Sequence, residues 1–308
     1  MAASSDPTGP SGSSGPSGPS GSAGSAGPAG PSPSLLSLHV HPVKSMAGGS
    51  PGEAAVEPWG LAGDRRWMVT APDGRFLTQR QLPRLALGAA RGLPGGGVRI
   101  SGPGAAPLDV PVPDPGRRGL VAVEVFRDKV EAVPAGPEAD AWLTAFLGVE
   151  ARLVHMDDPA VRRPVDPRYG RPEDRVGFAD GFPLLLTTTA SLAALNSLIA
   201  DGEHPDEGPL PMNRFRPNVV VGGTGAWEED GWRRVRLGEV TFRVVKPCGR
   251  CVVTTTDQRT AARGREPLHT LARHRRGATG LVFGQNLVPE RPGVLRVGDP
   301  FEVLNRSD

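Results

Sequence analysis

The segment Pro247-Cys248-Gly249-Arg250-Cys251 holds both thiols of the chain within four residues, with the cations Lys246 and Arg250 beside them. Nearby positive charge favours thiolate, the form that ligates metals and attacks electrophiles. The spacing alone admits a redox dithiol, half of a shared zinc site, a single thiolate ligand, or two small apolar fillers. A thioredoxin-type dithiol needs its first cysteine at a helix N-terminus. The β-branched run Val252-Val253-Thr254-Thr255-Thr256 predicts a strand there instead. Zinc would need further ligands, and of the six histidines only His39 and His41 pair at ligand spacing, on a strand face that solvation explains more cheaply. Gly63-Asp64-Arg65-Arg66-Trp67 and Asn213-Arg214-Phe215-Arg216-Pro217-Asn218 place arginines at the edges of predicted strands, each with an aromatic residue to anchor the backbone. Arginine at such a rim can grip a phosphate bidentately; in an arginine-rich chain it can equally be a surface cation.

The elements that must position these groups read as mostly β. The length of 308 residues suggests two domains, and Gly 42 with Pro 34 makes about a quarter of the chain punctuation. Leu36, Leu38 and Val40 alternate with polar residues from about Leu35, and Pro72-Asp73-Gly74 predicts a turn between Arg66–Val69 and Phe76-Leu77. Short strands follow at 98–100, 108–112, 120–125 and 130–133. A helix starts at Pro137, shows Trp142, Leu143, Phe146 and Leu147 on one face, and stops at Gly148. The polar, arginine-rich stretch 157–175 reads as a domain boundary or a loop at a functional site. Beyond it, strand 183–186 leads into Thr187-Thr188-Thr189, which can cap a helix with inner residues Leu192, Leu195, Leu198 and Ile199. Strands at 219–221, 235–237, 240–245, 281–283, 294–297 and 301–304, with a helix near 267–275, predict a closed or partly closed barrel. The fold class expected is therefore mainly β with a few helices (α+β).

Charge and composition exclude several function classes. The 35 basic and 33 acidic residues nearly cancel, and with only Lys44, Lys129 and Lys246 as lysines the positive charge is almost all guanidinium. No long run of one sign supports a nucleic-acid partner. Two cysteines rule out a disulfide framework, a four-cysteine zinc site or a four-thiolate iron–sulfur cluster within this chain alone. No apolar run has the roughly 18 to 20 residues of a spanning helix, and the N-terminus lacks signal-peptide character, so a soluble, cytoplasmic protein without a membrane partner is expected. Residues 1–34 carry one charge, Asp6, and glycine at every third position from Gly9 to Gly30. Eight such triplets would make a weak collagen helix, and the expectation is a disordered tail.

Taken in order, several segments resemble the MOSC family in its two-part form, a MOSC N-terminal β-barrel domain followed by a MOSC domain, as in the amidoxime-reducing components. The segments are His41-Pro42-Val43-Lys44-Ser45, Gly63–Trp67, Phe178-Ala179-Asp180-Gly181-Phe182-Pro183, Ala190-Ser191-Leu192, Phe215–Asn218, Cys248–Cys251 with Thr254–Asp257, Glu266-Pro267-Leu268, Phe283-Gly284-Gln285 and Val297-Gly298-Asp299. They span about residues 35–304. The resemblance implies an N-terminal domain at 35–156 and a MOSC domain at 157–308. It further implies a molybdenum pyranopterin cofactor between them, with Cys251 as thiolate ligand to the metal. Lys44, Ser45 and Arg65 would hold the pterin and its phosphate from one side, and Thr187, Thr188, Arg216, Asn218, Gly249 and Arg250 from the other, while Asp257 would orient the loop. Family members often carry serine and glutamate where this chain has Thr188 and Thr189. The implied activity is reduction of small N-hydroxylated or N-oxide substrates. Lacking an iron–sulfur cluster of its own, the chain would take electrons from a separate donor of ferredoxin or flavin reductase type. The alternative is a non-catalytic role, binding the cofactor or carrying sulfur as a Cys251 persulfide.

Overall fold

The computed structural model describes residues 32–278 and 280–307, so the expected tail lies outside the described residues up to position 31. In the first half the strands are β1 (Ser34–Leu38), β2 (Glu53–Glu57), β3 (Gly60–Leu61), β4 (Trp67–Thr70), β5 (Ala89–Gly92), β6 (Val98–Gly102), β7 (Ala105–Val110), β8 (Val121–Val125), β9 (Asp128–Pro134) and β10 (Arg152–His155). Helices α1 (Pro115–Arg118), α2 (Pro137–Leu147) and α3 (Pro159–Arg162) lie among and after them. The second half contains β11 (Leu184–Thr188), α4 (Thr189–Ala200), β12 (Val219–Gly222), β13 (Trp232–Leu237), β14 (Val240–Gly249), α5 (Leu268–His274), β15 (Arg276–Gly277), β16 (Gly280–Pro289), β17 (Gly293–Arg296) and β18 (Phe301–Arg306). The mainly β reading therefore holds, with helices in the minority.

One large sheet runs β1-β12-β11-β16-β14-β13-β18, with β15 hanging on β16. Only β11 and β12 are parallel along that path, and α4 supplies the crossover that a parallel pair requires. The two edge strands meet at one end, where Leu35 N donates to Asp299 O (2.9 Å) and Phe301 N to Pro33 O (3.0 Å). The result is a partly closed barrel. Its core collects Leu35, Leu38, Val56, Leu61, Leu186, Val221, Trp232 and Phe242. A second core gathers Trp67, Leu85, Ile100, Leu143 and Phe146 beneath α2. That helix begins at Pro137 and ends on Gly148 in the left-handed conformation (φ 74°), as its sequence signals require.

The strands do not divide at residue 156. β1 pairs with β12, and β17 pairs with β2. Leu35, Leu38, Val56 and Leu61 consequently complete the core of the second half, and the described residues form one compact unit. Two local readings are corrected. A register shift between Leu35 and Ser37 breaks the alternation of β1, so that Leu35 and Leu38 are buried while Leu36 is 47% exposed. The run Val252–Thr255 is a 3-10 turn rather than a strand, because Thr254 Oγ1 and Thr255 Oγ1 donate back to the carbonyls of Cys251 and Val252 (2.9 Å each). Among the described residues, no helix is long and apolar enough to cross a membrane.

Candidate functional site

Cys248 and Gly249 lie at the end of β14, whose ladder with β16 slips register between Val244 and Lys246 and again between Pro247 and Gly249. Such irregularities bend a strand and re-aim its side chains. The chain then leaves the sheet, and Cys251 caps the following 3-10 turn in extended backbone (φ −134°). From the first half, segment 41–45 laces against 65–67: Arg65 N donates to His41 O (2.8 Å), Lys44 N to Trp67 O (2.9 Å) and Trp67 N to Pro42 O (3.0 Å). This lacing sets Lys44, Ser45 and Arg65 on one rim.

A single cavity is lined by Lys44, Ser45, Arg65, Arg216, Asn218, Gly249, Arg250 and Cys251, together with Thr78, Arg80 and Asp180. The structure thus brings eight of the ten sequence-selected residues together. Three of them, Ser45 (φ 71°), Arg65 (φ 45°) and Arg216 (φ 52°), hold left-handed backbone without being glycine. Each such residue costs of order 1 to 3 kcal/mol, and strain of this kind concentrates where geometry serves a function.

The lining carries five cations, Lys44, Arg65, Arg80, Arg216 and Arg250, against one carboxylate, Asp180. Arg65 is fixed by Asp64 (2.5 Å), Asn218 Oδ1 (2.9 Å) and Arg216 O (3.1 Å). Burial, then the charge of Arg65, pushes the Arg216 guanidinium down from its ordinary pKa, and its buried Nη2 has no hydrogen-bond partner among the described residues. Lys44 donates to Phe178 O (2.8 Å) and Asp180 (2.5 Å). Burial lowers its pKa to about 8 although Asp180 opposes the shift. A pocket whose lining cations outnumber its carboxylates, with the buried Arg216 Nη2 left unpartnered among the described residues, suits an anion.

Sulfur faces the same cations. Arg80 Nη2 lies 3.3 Å from Cys251 Sγ, and Arg250 Nη1 lies 2.9 Å from Cys248 Sγ while its Nη2 donates to Phe215 O (2.8 Å). Each sulfur thus has a cationic N–H donor within hydrogen-bonding reach. Arg80 went unnoticed in the sequence, where Thr78-Gln79-Arg80-Gln81 is an ordinary polar run. Its placement comes from a clamp remote in sequence, in which Arg263 Nη2 donates to the carbonyls of Gln79 (2.5 Å) and Arg80 (2.7 Å). Asp257, expected to orient the loop, accepts from Arg259 N and Thr260 N (2.9 Å each) and pairs with Arg214 (3.1 Å).

Thr187 and Thr188 are a correction, since neither lines the cavity. Both are buried. Thr187 Oγ1 points to Met212 Sδ (3.2 Å), and Thr188 Oγ1 accepts from Ser191 N (3.1 Å), which makes it the N-cap of α4. A hydroxyl committed to capping at the buried start of a helix is not free to hold a ligand. His41, read as part of a solvated pair, is also buried. Its Nε2 meets Pro217 O at 3.3 Å, and burial, followed by Arg216 and Arg65, holds its pKa well below the usual value.

Comparison with protein families matches the MOSC N-terminal beta barrel domain to residues 32–150 and the MOSC domain to residues 173–302. Mitochondrial amidoxime-reducing component 1 of Homo sapiens is 32% identical over 292 residues, covering 89% of this chain and 83% of the relative. The protein of that name from Danio rerio is 35% identical over 280 residues, covering 85% and 82%. Mitochondrial amidoxime reducing component 2 of Homo sapiens is 34% identical over 284 residues, covering 87% and 82%. The cavity therefore joins residues from both matched segments, and the chain belongs to the MOSC family in its two-part form, a MOSC N-terminal beta barrel domain followed by a MOSC domain.

Proposed function

We propose that this chain is a molybdenum-cofactor-dependent reductase of small N-hydroxylated or N-oxide compounds, supplied with electrons by a separate protein of ferredoxin or flavin reductase type. The observation that carries this reading is the shared cavity, in which the Cys251 thiol opens beside Lys44, Arg65, Arg216 and Arg250. Relatives named as amidoxime-reducing components, matched over most of their length, support it.

The residues present fit a phosphorylated pterin carrying a soft metal centre. Arg216 offers a buried, unpartnered Nη2, and cations outnumber carboxylates around the cavity. Cys251 offers the kind of sulfur donor that a thiophilic metal selects. Lys44, Ser45 and Arg65 would hold the group from one rim, and Arg216, Asn218, Gly249 and Arg250 from the other, with Cys251 as metal ligand. When bound, the group supplies a two-electron reductant that can take an oxygen atom from an N–O bond. The net change is N–OH plus two electrons and two protons to N–H plus water. The chain's own part is electrostatic and positional: Arg80 sets a guanidinium 3.3 Å from the Cys251 sulfur, and Lys44 Nζ holds a proton at the rim at neutral pH.

Metal and pterin analysis of the purified protein, with amidoxime turnover driven by a chemical reductant, tests this reading. The expected result is molybdenum at about one per chain and turnover that disappears in Cys251→Ala. Full activity in that variant removes the ligand role. Sulfane sulfur on Cys251 without metal would support a carrier function instead. A cytoplasmic setting is part of the same proposal; the relatives are named mitochondrial, and fractionation of cells expressing the untagged chain separates the two.

A further inference from the structure

The fold builds a second constellation of metal-ligating side chains far along the sequence from the cysteine motif. Glu203 and His204 lie in the connection after α4, and His269 lies in the first turn of α5. One ligand atom from each falls within 4.8 Å of the other two. The rings of His204 and His269 meet edge to face with centroids 4.9 Å apart. Their Nε2 atoms are buried, and neither has a hydrogen-bond partner among the described residues. His269 Nε2 stands 3.2 Å from Glu203 Oε2 yet is not aimed at it as a donor. Ligand atoms around a four-coordinate zinc ion with bonds of about 2.0 to 2.1 Å are about 3.3 Å apart. His269 Nε2 and Glu203 Oε2 already match that at 3.2 Å, and a small side-chain rotation brings in the third atom, which lies within 4.8 Å.

The surroundings are held in place without any ion. Glu207 accepts hydrogen bonds from Arg265 N and Glu266 N (2.8 Å each), which ties the connection after α4 to the segment leading into α5. Glu266 in turn caps that helix by accepting from Thr270 N (3.1 Å). A prearranged pair of backbones lowers the ordering cost of ligation. Among the described residues the competitor is Arg273, whose guanidinium takes the other oxygen of Glu203.

We infer that Glu203, His204 and His269 form a binding site for one divalent transition-metal ion of the zinc, cobalt or nickel class, joining the connection after α4 to α5. Two imidazoles and one carboxylate select that class over magnesium or calcium, which favour all-oxygen sets. Solvent water completes the coordination. The role is structural: α5 packs against the 3-10 turn Val252–Thr255, so the ion braces the layer behind Cys251. The inference stands on these three residues and is independent of the chemistry in the cavity.

The test is cobalt(II) titration of the full chain followed by visible absorption, repeated in a Cys248→Ser/Cys251→Ser background that removes both thiolates. One equivalent should bind with d–d bands, without a thiolate charge-transfer band, and unchanged in the double cysteine variant. His204→Ala and His269→Ala should each weaken binding by more than about a hundredfold, beyond the loss typical of a merely supporting group. Arg273→Ala should bind at least as tightly as the parent, because it frees Glu203. Zinc should raise the melting temperature of the double cysteine variant and leave that of its His269→Ala derivative unmoved. Glu203→Gln, at an exposed position, gives the same readout if a histidine variant does not fold. The proposal is overturned by the lack of saturable binding, by binding that disappears with the cysteines, or by binding that survives both His269→Ala and Glu203→Gln.

Discussion

Lys44 and Arg216 show how single residues carry the cost of an anion site. Lys44 has a folded-state pKa of about 8, below the ordinary 10.5. Below pH 8 it is charged whether the chain is folded or unfolded, and the fold bears the full desolvation cost. Between pH 8 and 10.5 the unfolded chain binds a proton that the folded chain has released, so stability rises with pH. The fall from 10.5 to about 8 corresponds to about 3 kcal/mol. Urea melts of the cofactor-free protein should therefore show the parent gaining about that much relative to Lys44→Met across this window, and parallel curves would refute the burial argument. Anion affinity should move the opposite way, weakening as Lys44 loses its charge above pH 8. Arg216 gives a second expectation. Its unpartnered Nη2 and the repulsion from Arg65 make it a net cost in the cofactor-free state. Arg216→Gln should melt at or above the parent without cofactor while retaining cofactor more than about tenfold less well; a lower melting point without cofactor would show that the charge is already compensated.

At the scale of elements, one threonine separates a structural role from a site role. Thr188 caps α4, and its hydroxyl also bonds Ser191 Oγ (2.9 Å), itself 2.8 Å from the buried carboxylate of Glu229. Losing such a cap costs about 1 to 2 kcal/mol. Thr188→Ala should lower stability by that amount in chemical denaturation, yet the folded fraction should keep the cofactor content of the parent. A selective loss of cofactor would return Thr188 to the site. The 3-10 turn after Cys251 makes the complementary point. β-branched composition reads as strand, but threonine hydroxyls bonding back to Cys251 O and Val252 O favour a turn once the strand β14 has ended. Composition reports an average preference, and a local hydrogen bond overrode it.

For the whole molecule, the exchange of strands between the two halves has consequences for folding. β1 completes the sheet of the second half, and β17 returns to pair with β2. Residues 157–307 alone would expose the partners of Leu35, Leu38, Val56 and Leu61 and leave β12 as an open edge. Fragments 32–156 and 157–307 expressed separately should lack cooperative thermal transitions, and mixing them should restore one. A cooperative melt of either fragment alone would show that the interlaced strands are dispensable.

Much was legible in the chain itself because the signals were local. Pro137 and Gly148 bound α2, alternation and Gly-Pro breaks gave the strands, and the order of short motifs from His41 to Asp299 carried the family. Cys251, Arg65 and Arg216 stood out by type and neighbours. What the sequence could not hold was anything set by distance through space. Arg80 reaches the Cys251 sulfur only through the clamp from Arg263, and Glu203, His204 and His269 meet only because the loop after α4 lies against α5. Thr187 and Thr188 turn away because capping satisfies one hydroxyl locally before any ligand competes for it. Periodicity and spacing fix which groups a backbone segment can present; which of them converge depends on how remote segments pack, and that is decided by the summed burial of the folded core.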